Sequence, residues 1–255
     1  MKISIITAVL NNRAFIEDCI KSVAGQTYRE IEHIIVDGGS TDGTVGIINK
    51  HRDSSRKVIS EKDNGIYEAL NKGIRIAGGE VIGILNSDDL YANSMVLEKI
   101  AQQFSAKGVE GIYGDLVYVD KENTQKIIRY WKAGAYRSGL FLKGWMPPHP
   151  AFFVKKEAYD KYGYFNTAFK ISADYELMLR FLYRYGISVA YLPEVLVKMR
   201  SGGVSNRNFK SMITRSIEDY RAFKINGLKA GFFTLLRKKI LKIPQFFTRE
   251  ERFSK

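Results

Sequence analysis

A chain of 255 residues has room for one large α/β domain or two small ones, and its 45% apolar content is enough for a real core, which excludes a disordered protein. The net charge of +13 is concentrated: residues 198–255 hold 15 Lys/Arg against 4 Asp/Glu, a net +11, while residues 1–197 hold 25 against 23, a net +2. The excess belongs to the tail, which argues against a nucleic-acid-binding body and for an acidic partner of the tail itself.

In chain order, "KISIITAVL" is a β-branched run, read as a first strand rather than a signal peptide. "AFIEDCIKSVAGQ" has helical spacing and carries the single cysteine, Cys19, which cannot form an internal disulfide and fits a reducing compartment. "IEHIIVDGG" is a second strand stopping in glycines, and "TDGTVGIINKH" a capped helix. "RKVISEKD" predicts a third strand, "GIYEALNKGIRIA" a helix closed by Gly78-Gly79, "EVIGILNSDD" a fourth strand and "NSMVLEKIAQQFSA" the helix after it. Four strand–helix alternations with short connections predict βαβ units and a mostly parallel sheet. Beyond residue 110, "GIYGDLVYVDKE" and "KIIRYWKAG" read as a hairpin, "LKGWMPPHPAFFVKKEAYDKYG" as an aromatic- and proline-rich loop with a strand and helix, "SADYELMLRFLYRYG" as an amphipathic helix, and "VAYLPEVLVKMRSGG" as a strand entering a glycine turn. No run of ~18 apolar residues predicts a membrane-spanning helix.

Ligands bind such sheets at the carboxyl ends of the strands. Asn11, Asp37, Asp63 and Asp88 all fall there, one per unit, with Asn86 and Asp89 beside Asp88. Oxygen ligands without nearby histidine suit a hard cation, Mg²⁺ or Mn²⁺. Two readings of Asp88 and Asp89 stay open: a metal sits against at least one of them, or Asp89 caps the next helix while Asp88 is solvated. In "VDGGSTDGT" turn chemistry accounts for Gly38, Gly39 and Ser40 but not for an aspartate directly after "HIIV". No G-x-G-x-x-G or P-loop occurs. Asp174, near a helix start, is either a structural cap or a general base. His149, between prolines, and Trp145 are candidate ligand contacts, each with a structural alternative.

"SIITAVLNN", "VDGGSTDGT", "EKDNGIYEALNKGI", "GILNSDDLY" and "SADYELMLRF" occur in the order found in family 2 glycosyltransferases with the GT-A fold, and over residues 1–205 the chain resembles bacterial members that build capsule, exopolysaccharide or lipopolysaccharide units. The resemblance implies a Rossmann-like central sheet with helices on both faces, divided into a nucleotide-binding half, 1–110, and an acceptor-binding half, 111–205. It implies that Thr7 and Asp37 contact the nucleotide base, that Asp63 lies near base and ribose, and that Asn86 and Asp88 occupy the ends of the metal-binding D-x-D. Asp174 aligns with the catalytic base. Asparagine replaces the first D-x-D aspartate, and Ala173 stands where many members carry glutamate. No Q-x-x-R-W element of processive synthases is present, which implies one sugar added per encounter. The implied reaction is inverting transfer from a nucleotide sugar, UDP favoured, to a lipid-linked glycan hydroxyl, helped by Mn²⁺ or Mg²⁺.

The tail, 206–255, contains "LKAGFFTLLRKKILKIPQFF", apolar on one broad side of a helix and cationic on much of the rest. Residues 224–248 are expected to lie on an anionic membrane surface, placing the protein peripherally on the cytoplasmic face of the plasma membrane. The alternative is a terminal helix docked on the domain. Two competing functions stay in view: a sugar nucleotidyltransferase, which needs a glycine-rich triphosphate loop that "TAVLNNRAF" lacks, and a catalytically silent sugar-nucleotide- or membrane-binding subunit.

Overall fold

A computed structural model describes residues 1–202, 209–229 and 234. The β-branched runs form the expected strands: β1 Ile3–Val9, β2 Ile31–Asp37, β3 Arg56–Ser60 and β4 Val81–Ile84. Between and after them lie α1 Ile16–Ala24, α2 Thr44–Lys50, α3 Ile66–Ile76, the short β5 Leu90–Tyr91 and α4 Val96–Lys107. The second half adds β6 Gly111–Val119, β7 Ile127–Trp131, β8 Phe152–Lys155, α5 Lys156–Tyr162, α6 Ala173–Met178, β9 Val189–Arg200 and α7 Phe209–Ile225.

Among the described residues the strands make one nine-stranded sheet in the order β3-β2-β1-β4-β8-β6-β9-β5, with β7 on β6. β3, β2, β1 and β4 are mutually parallel, as are β6 and β9, whereas β8 runs antiparallel between β4 and β6. The predicted hairpin is β6–β7, paired antiparallel from Leu116↔Trp131. Because side chains alternate along a strand, each face of β1 meets a different helix set. Ile3 and Ile5 pack with Cys19 and Val23 of α1 and with α4, while Ile6 and Ala8 pack with α3, α5, α6 and α7. α3 lies close to the sheet because Gly73 carries no side chain: a Cβ there would sit 2.5 Å from Ile6 Cγ2.

The helix expected over "SADYELMLRFLYRYG" is shorter than its pattern. α6 gives way at Leu179–Arg184 to a wider π turn, where the Tyr185 N–H bonds the Arg180 carbonyl five residues back. The tail also differs in part from its expected boundary. α7 starts just after residue 206 but is docked on the body, with Ala222, Phe223 and the following Leu228 buried in the main core. Of the expected surface helix over 224–248, all beyond residue 229 except Thr234 lies outside the described residues. No helix of the described residues is long and apolar enough to cross a membrane.

Candidate active site

The carboxyl ends of β1, β2 and β4 are laced together by the polar residues that follow them. Asn11 adopts a left-handed backbone (φ 49°), accepts the Thr41 N–H on Oδ1 at 2.9 Å, and donates its own N–H to Ser40 Oγ at 2.8 Å. Asn12 donates its N–H to Thr44 Oγ1 at 3.0 Å and its side-chain amide to Ser87 Oγ at 2.8 Å. Asn11 therefore shapes the rim, tying the β1 turn to the β2 turn, and Asn12 extends the tie to the β4 turn.

Asp37 is fully buried, and its carboxylate accepts the N–H groups of Gly39 and Ser40, both at 3.1 Å, and the Ser60 hydroxyl at 2.7 Å. That accounts for an aspartate at the end of an apolar strand: it folds the glycine turn back on itself. Any ligand contact it makes shares oxygens already in use. Asp63 differs. Its Oδ1 pairs with Lys72 Nζ at 2.5 Å, while Oδ2 is buried with no hydrogen-bond partner, near Gly38. A buried acceptor left unpaired is costly, so this oxygen is suited to receive an N–H or O–H from a ligand. Lys72 is held well above its ordinary pKa by hydrogen bonds to Asp63 and Glu61.

Two expected contacts are corrected. Thr7 is fully buried, with Oγ1 3.1 Å from His33 Nε2 and 3.8 Å from Cys19 Sγ, because its place in the alternation of β1 turns it under α1 and away from the strand end. Asp89 is also fully buried and is not placed to hold an ion. Its Oδ1 accepts the Arg200 N–H at 3.1 Å and its Oδ2 the Asn86 amide at 2.8 Å. Burial first, then the neighbouring Asp88 charge, pushes its carboxyl well above the usual range. Asn86 spends its amide on that bond. Asp88 remains half-buried at the strand end.

Arg200, absent from the residues expected at the site, braces this turn. Only 4% exposed, it donates from Nη1 to the Asp88 carbonyl at 2.7 Å, from Nε to the Lys121 carbonyl at 3.0 Å and from Nη2 to Asp18 Oδ2 at 2.6 Å, with its guanidinium over the Phe15 ring. A lone arginine ending the strand "VAYLPEVLVKMR" was the available signal.

Asp174 lies in the first turn of α6. Glu218 of α7 anchors that helix by accepting the N–H groups of Lys170, Ile171 and Ser172 at 2.7, 2.9 and 2.9 Å. Asp174 Oδ2 lies 3.1 Å from Nδ1 of His149, so two candidates far apart in sequence meet. Strand register explains where. Antiparallel pairing sets Val81 opposite Lys155 and Ile82 opposite Val154, so the 3₁₀ turn His149–Ala151 that precedes β8 lies toward the carboxyl end of β4, in contact with that strand. Trp145 goes elsewhere. Its indole N–H is bound to the Ala133 carbonyl at 2.6 Å and its ring stacks on Tyr136, with Tyr113 and Phe141 edge-on, so it braces an aromatic cluster. Asp115, a second residue missed, is buried under that cluster and accepts the Tyr191 hydroxyl and the Ala133 N–H, both at 2.8 Å, as well as the Tyr130 hydroxyl.

Among the described residues no group of three His, Cys, Asp or Glu side chains is placed to hold a metal ion. One half-buried carboxylate, Asp88, fits a hard cation held mainly by water and substrate phosphates.

The sequence profile of Glycosyl transferase family 2 matches residues 4–163. The chain is 30% identical over 207 residues to a PGL/p-HBAD biosynthesis glycosyltransferase of Mycobacterium bovis, covering 80% of this chain and 78% of the relative. Its fold resembles that of S. aureus TarS 1-349, solved in complex with UDP, with a TM-score of 0.67 and 20% identity over 100% of this chain and 73% of TarS 1-349. It also resembles the mannosyltransferase PcManGT of Pyrobaculum calidifontis, solved with GDP-Man and Mn²⁺, with a TM-score of 0.66 and 18% identity over 96% of this chain and 73% of PcManGT.

Proposed function

Because the chain belongs to Glycosyl transferase family 2, we propose that it moves one sugar from a nucleotide-sugar donor, a UDP-sugar in the favoured case, to a hydroxyl of a lipid-linked glycan acceptor in bacterial surface polysaccharide synthesis. One observation carries this reading. The turn that precedes β8 lies toward the carboxyl end of β4, and His149 in it approaches Asp174 to 3.1 Å, which supports a proton acceptor on the same sheet edge as Asp88.

The donor lies along the β1–β2–β4 edge. Its base and ribose meet the rim formed by Asn11, Asp37 and Asp63, where Asp63 Oδ2 is the acceptor in want of a donor. Asp88 faces the diphosphate, and a Mn²⁺ or Mg²⁺ ion held there would offset charge on the leaving group. Arg200 does not reach out to the ligand but fixes the turn on which Asp88 sits. Removal of the acceptor proton depends on Asp174. The acceptor oxygen attacks the anomeric carbon opposite the departing diphosphate, and direct displacement inverts the configuration. The basic segment beyond α7 contacts the anionic inner face of the plasma membrane, where a lipid-linked acceptor is held.

Titrating UDP and GDP calorimetrically into the purified protein, with Mn²⁺ and then with chelator, tests the donor site. Metal-dependent binding of one of them is expected. Equal affinity with chelator removes the cation from the reading, and no binding of either favours a silent subunit.

A further inference from the structure

α7 carries apolar side chains on two opposite faces. The inner one, with Ala222 and Phe223, is buried in the main core. Ile213, Ile217, Tyr220 and Lys224 recur at steps of four, three and four residues, and so line the other side of the helix. Ile217 is 63% exposed, more than any other large apolar side chain among the described residues, and Met212, Ile213, Tyr220 and Ile225 are exposed with it. Scattered singly such side chains mean little, but five on one helix make a patch. Helix propensity does not account for them, because isoleucine is a weaker helix former than alanine or leucine. Charge decides what the patch fits. Glu218 and Asp219, the two acidic residues of α7, are both buried, whereas Arg221, Lys224 and, just past the helix, Lys229 are exposed. Lys224 Nζ lies 5.2 Å from the centre of the Tyr220 ring, and exposed Arg184 adds a further cation by donating to the Ile225 carbonyl at 3.1 Å.

We propose that the outward face of α7 docks on an anionic lipid surface, with Ile213, Ile217 and Tyr220 entering the headgroup boundary and Arg221, Lys224 and Lys229 meeting the headgroups. The inference rests on the lipid-linked acceptor proposed above and extends the membrane contact from the tail to the body of the protein. An apolar stripe flanked by cations is the pattern of a helix lying in a membrane interface, where lysine reaches outward along its stem and tyrosine sits at the boundary. Other occupants fit the charge less well. A second copy of this face brings like charges together, and residues 230–255, with seven Lys/Arg against two Glu, carry the same sign. Three apolar side chains are too few to hold the protein alone, so this contact and the tail act together, as paired weak anchors do. The geometry gives the docking a consequence. Glu218, on the inner side of α7, binds the N–H groups of residues 170–172 just ahead of α6, so the helix that meets the lipid is the one that braces Asp174.

The test cosediments the full chain with vesicles of equal parts phosphatidylglycerol and phosphatidylethanolamine, and with phosphatidylcholine vesicles for comparison. The double variant Ile213→Ser, Ile217→Ser is expected to bind the anionic vesicles about ten-fold or more weakly, with its urea midpoint held because both positions are exposed. Lys224→Glu, which leaves the apolar stripe intact, is expected to weaken binding about five-fold or more. Ile128→Ser, at an exposed isoleucine of β7, is expected to bind as the wild type does. A double variant that binds like the wild type assigns the contact to the tail alone and overturns this inference. Equal binding of the wild type to phosphatidylcholine overturns the part played by charge. Sedimentation equilibrium without vesicles tests the competing occupant: a wild-type dimer that the double variant turns into monomer gives the face to a second copy and overturns the proposal. A wild type that binds neither vesicle overturns both membrane contacts, while UDP titration reads the donor site separately.

Discussion

Asp88 and Asp89 are adjacent in the chain and opposite in circumstance. One stands at the strand end; the other is enclosed and bonded by the Arg200 backbone and the Asn86 amide. Asp88→Asn is therefore expected to abolish Mn²⁺-dependent UDP binding. Asp89→Asn, which keeps an oxygen for the Arg200 N–H, is expected to retain binding within a few-fold and to change stability instead. Calorimetry on both variants separates the two roles, and equal loss in both would return Asp89 to the site. Asp174→Asn removes the carboxylate on which removal of the acceptor proton depends in the proposed reaction, and is expected to lower turnover by about 10²–10⁴-fold while sparing UDP affinity. Unchanged turnover in that variant would take Asp174 out of the mechanism. The choice between Asp88 and Asp89 was not legible in "NSDD", because it depends on Arg200, brought in from a strand more than a hundred residues later.

At the scale of elements, α6 is short and opens into a π turn, so its own backbone is a weak support for Asp174. The support comes from α7, whose Glu218 carboxylate takes three successive N–H groups ahead of α6. Glu218→Ala strips those donors of their partner at a site where water is largely excluded. It is expected to destabilise the fold by about 2–3 kcal/mol, because hydrogen bonds to a charged group are the stronger kind. Turnover should fall while UDP affinity holds, since the three N–H groups that Glu218 takes lie directly ahead of the helix that carries Asp174. A urea melt read beside turnover checks both, and loss of donor affinity of the same size would mean the two halves of the sheet are not separable in this way. The amphipathic pattern of "SADYELMLRF" is legible as a helix, but its anchor sits on a different helix and leaves no mark in the local sequence.

For the whole molecule, two buried titratable groups lower stability as the pH falls. Burial, then the nearby Arg56 charge, lowers the His33 pKa to about 3. Glu32 is lowered to about 2: burial works against its ionisation, and bonds from Lys57, the Gly78 N–H and Ser4 outweigh it. In both cases the unfolded chain binds a proton before the folded one does. Stability is thus complete above the unfolded pKa values, about 6.5 for histidine and about 4.3 for glutamate, and is lost progressively as pH falls toward 3 and 2. Urea midpoints measured from pH 8 to pH 3 should fall continuously below pH 6.5, and Glu32→Gln should flatten the part below pH 5. The tail calls for a cut that spares the body. Because α7 and Leu228 belong to the core, removing residues 230–255 is the informative truncation. Loss of binding to anionic vesicles with the fold retained is expected; full retention would count against membrane contact through this segment.

By itself the sequence determined the alternation of strands and helices, the sheet class, the family resemblance and the strand-end location of the polar residues. These follow from periodicity, turn chemistry and short-range order, which are local properties of the chain. Tertiary structure decided which of those residues are enclosed and by what. Whether Thr7 points out or under α1, whether Asp88 or Asp89 is enclosed, and whether Trp145 meets a ligand or Tyr136 all depend on groups distant in sequence. The meeting of His149 with Asp174 is of the same kind, fixed by the packing of the 149–151 turn between β4 and α6, because burial and hydrogen-bond partnership are properties of neighbours in space.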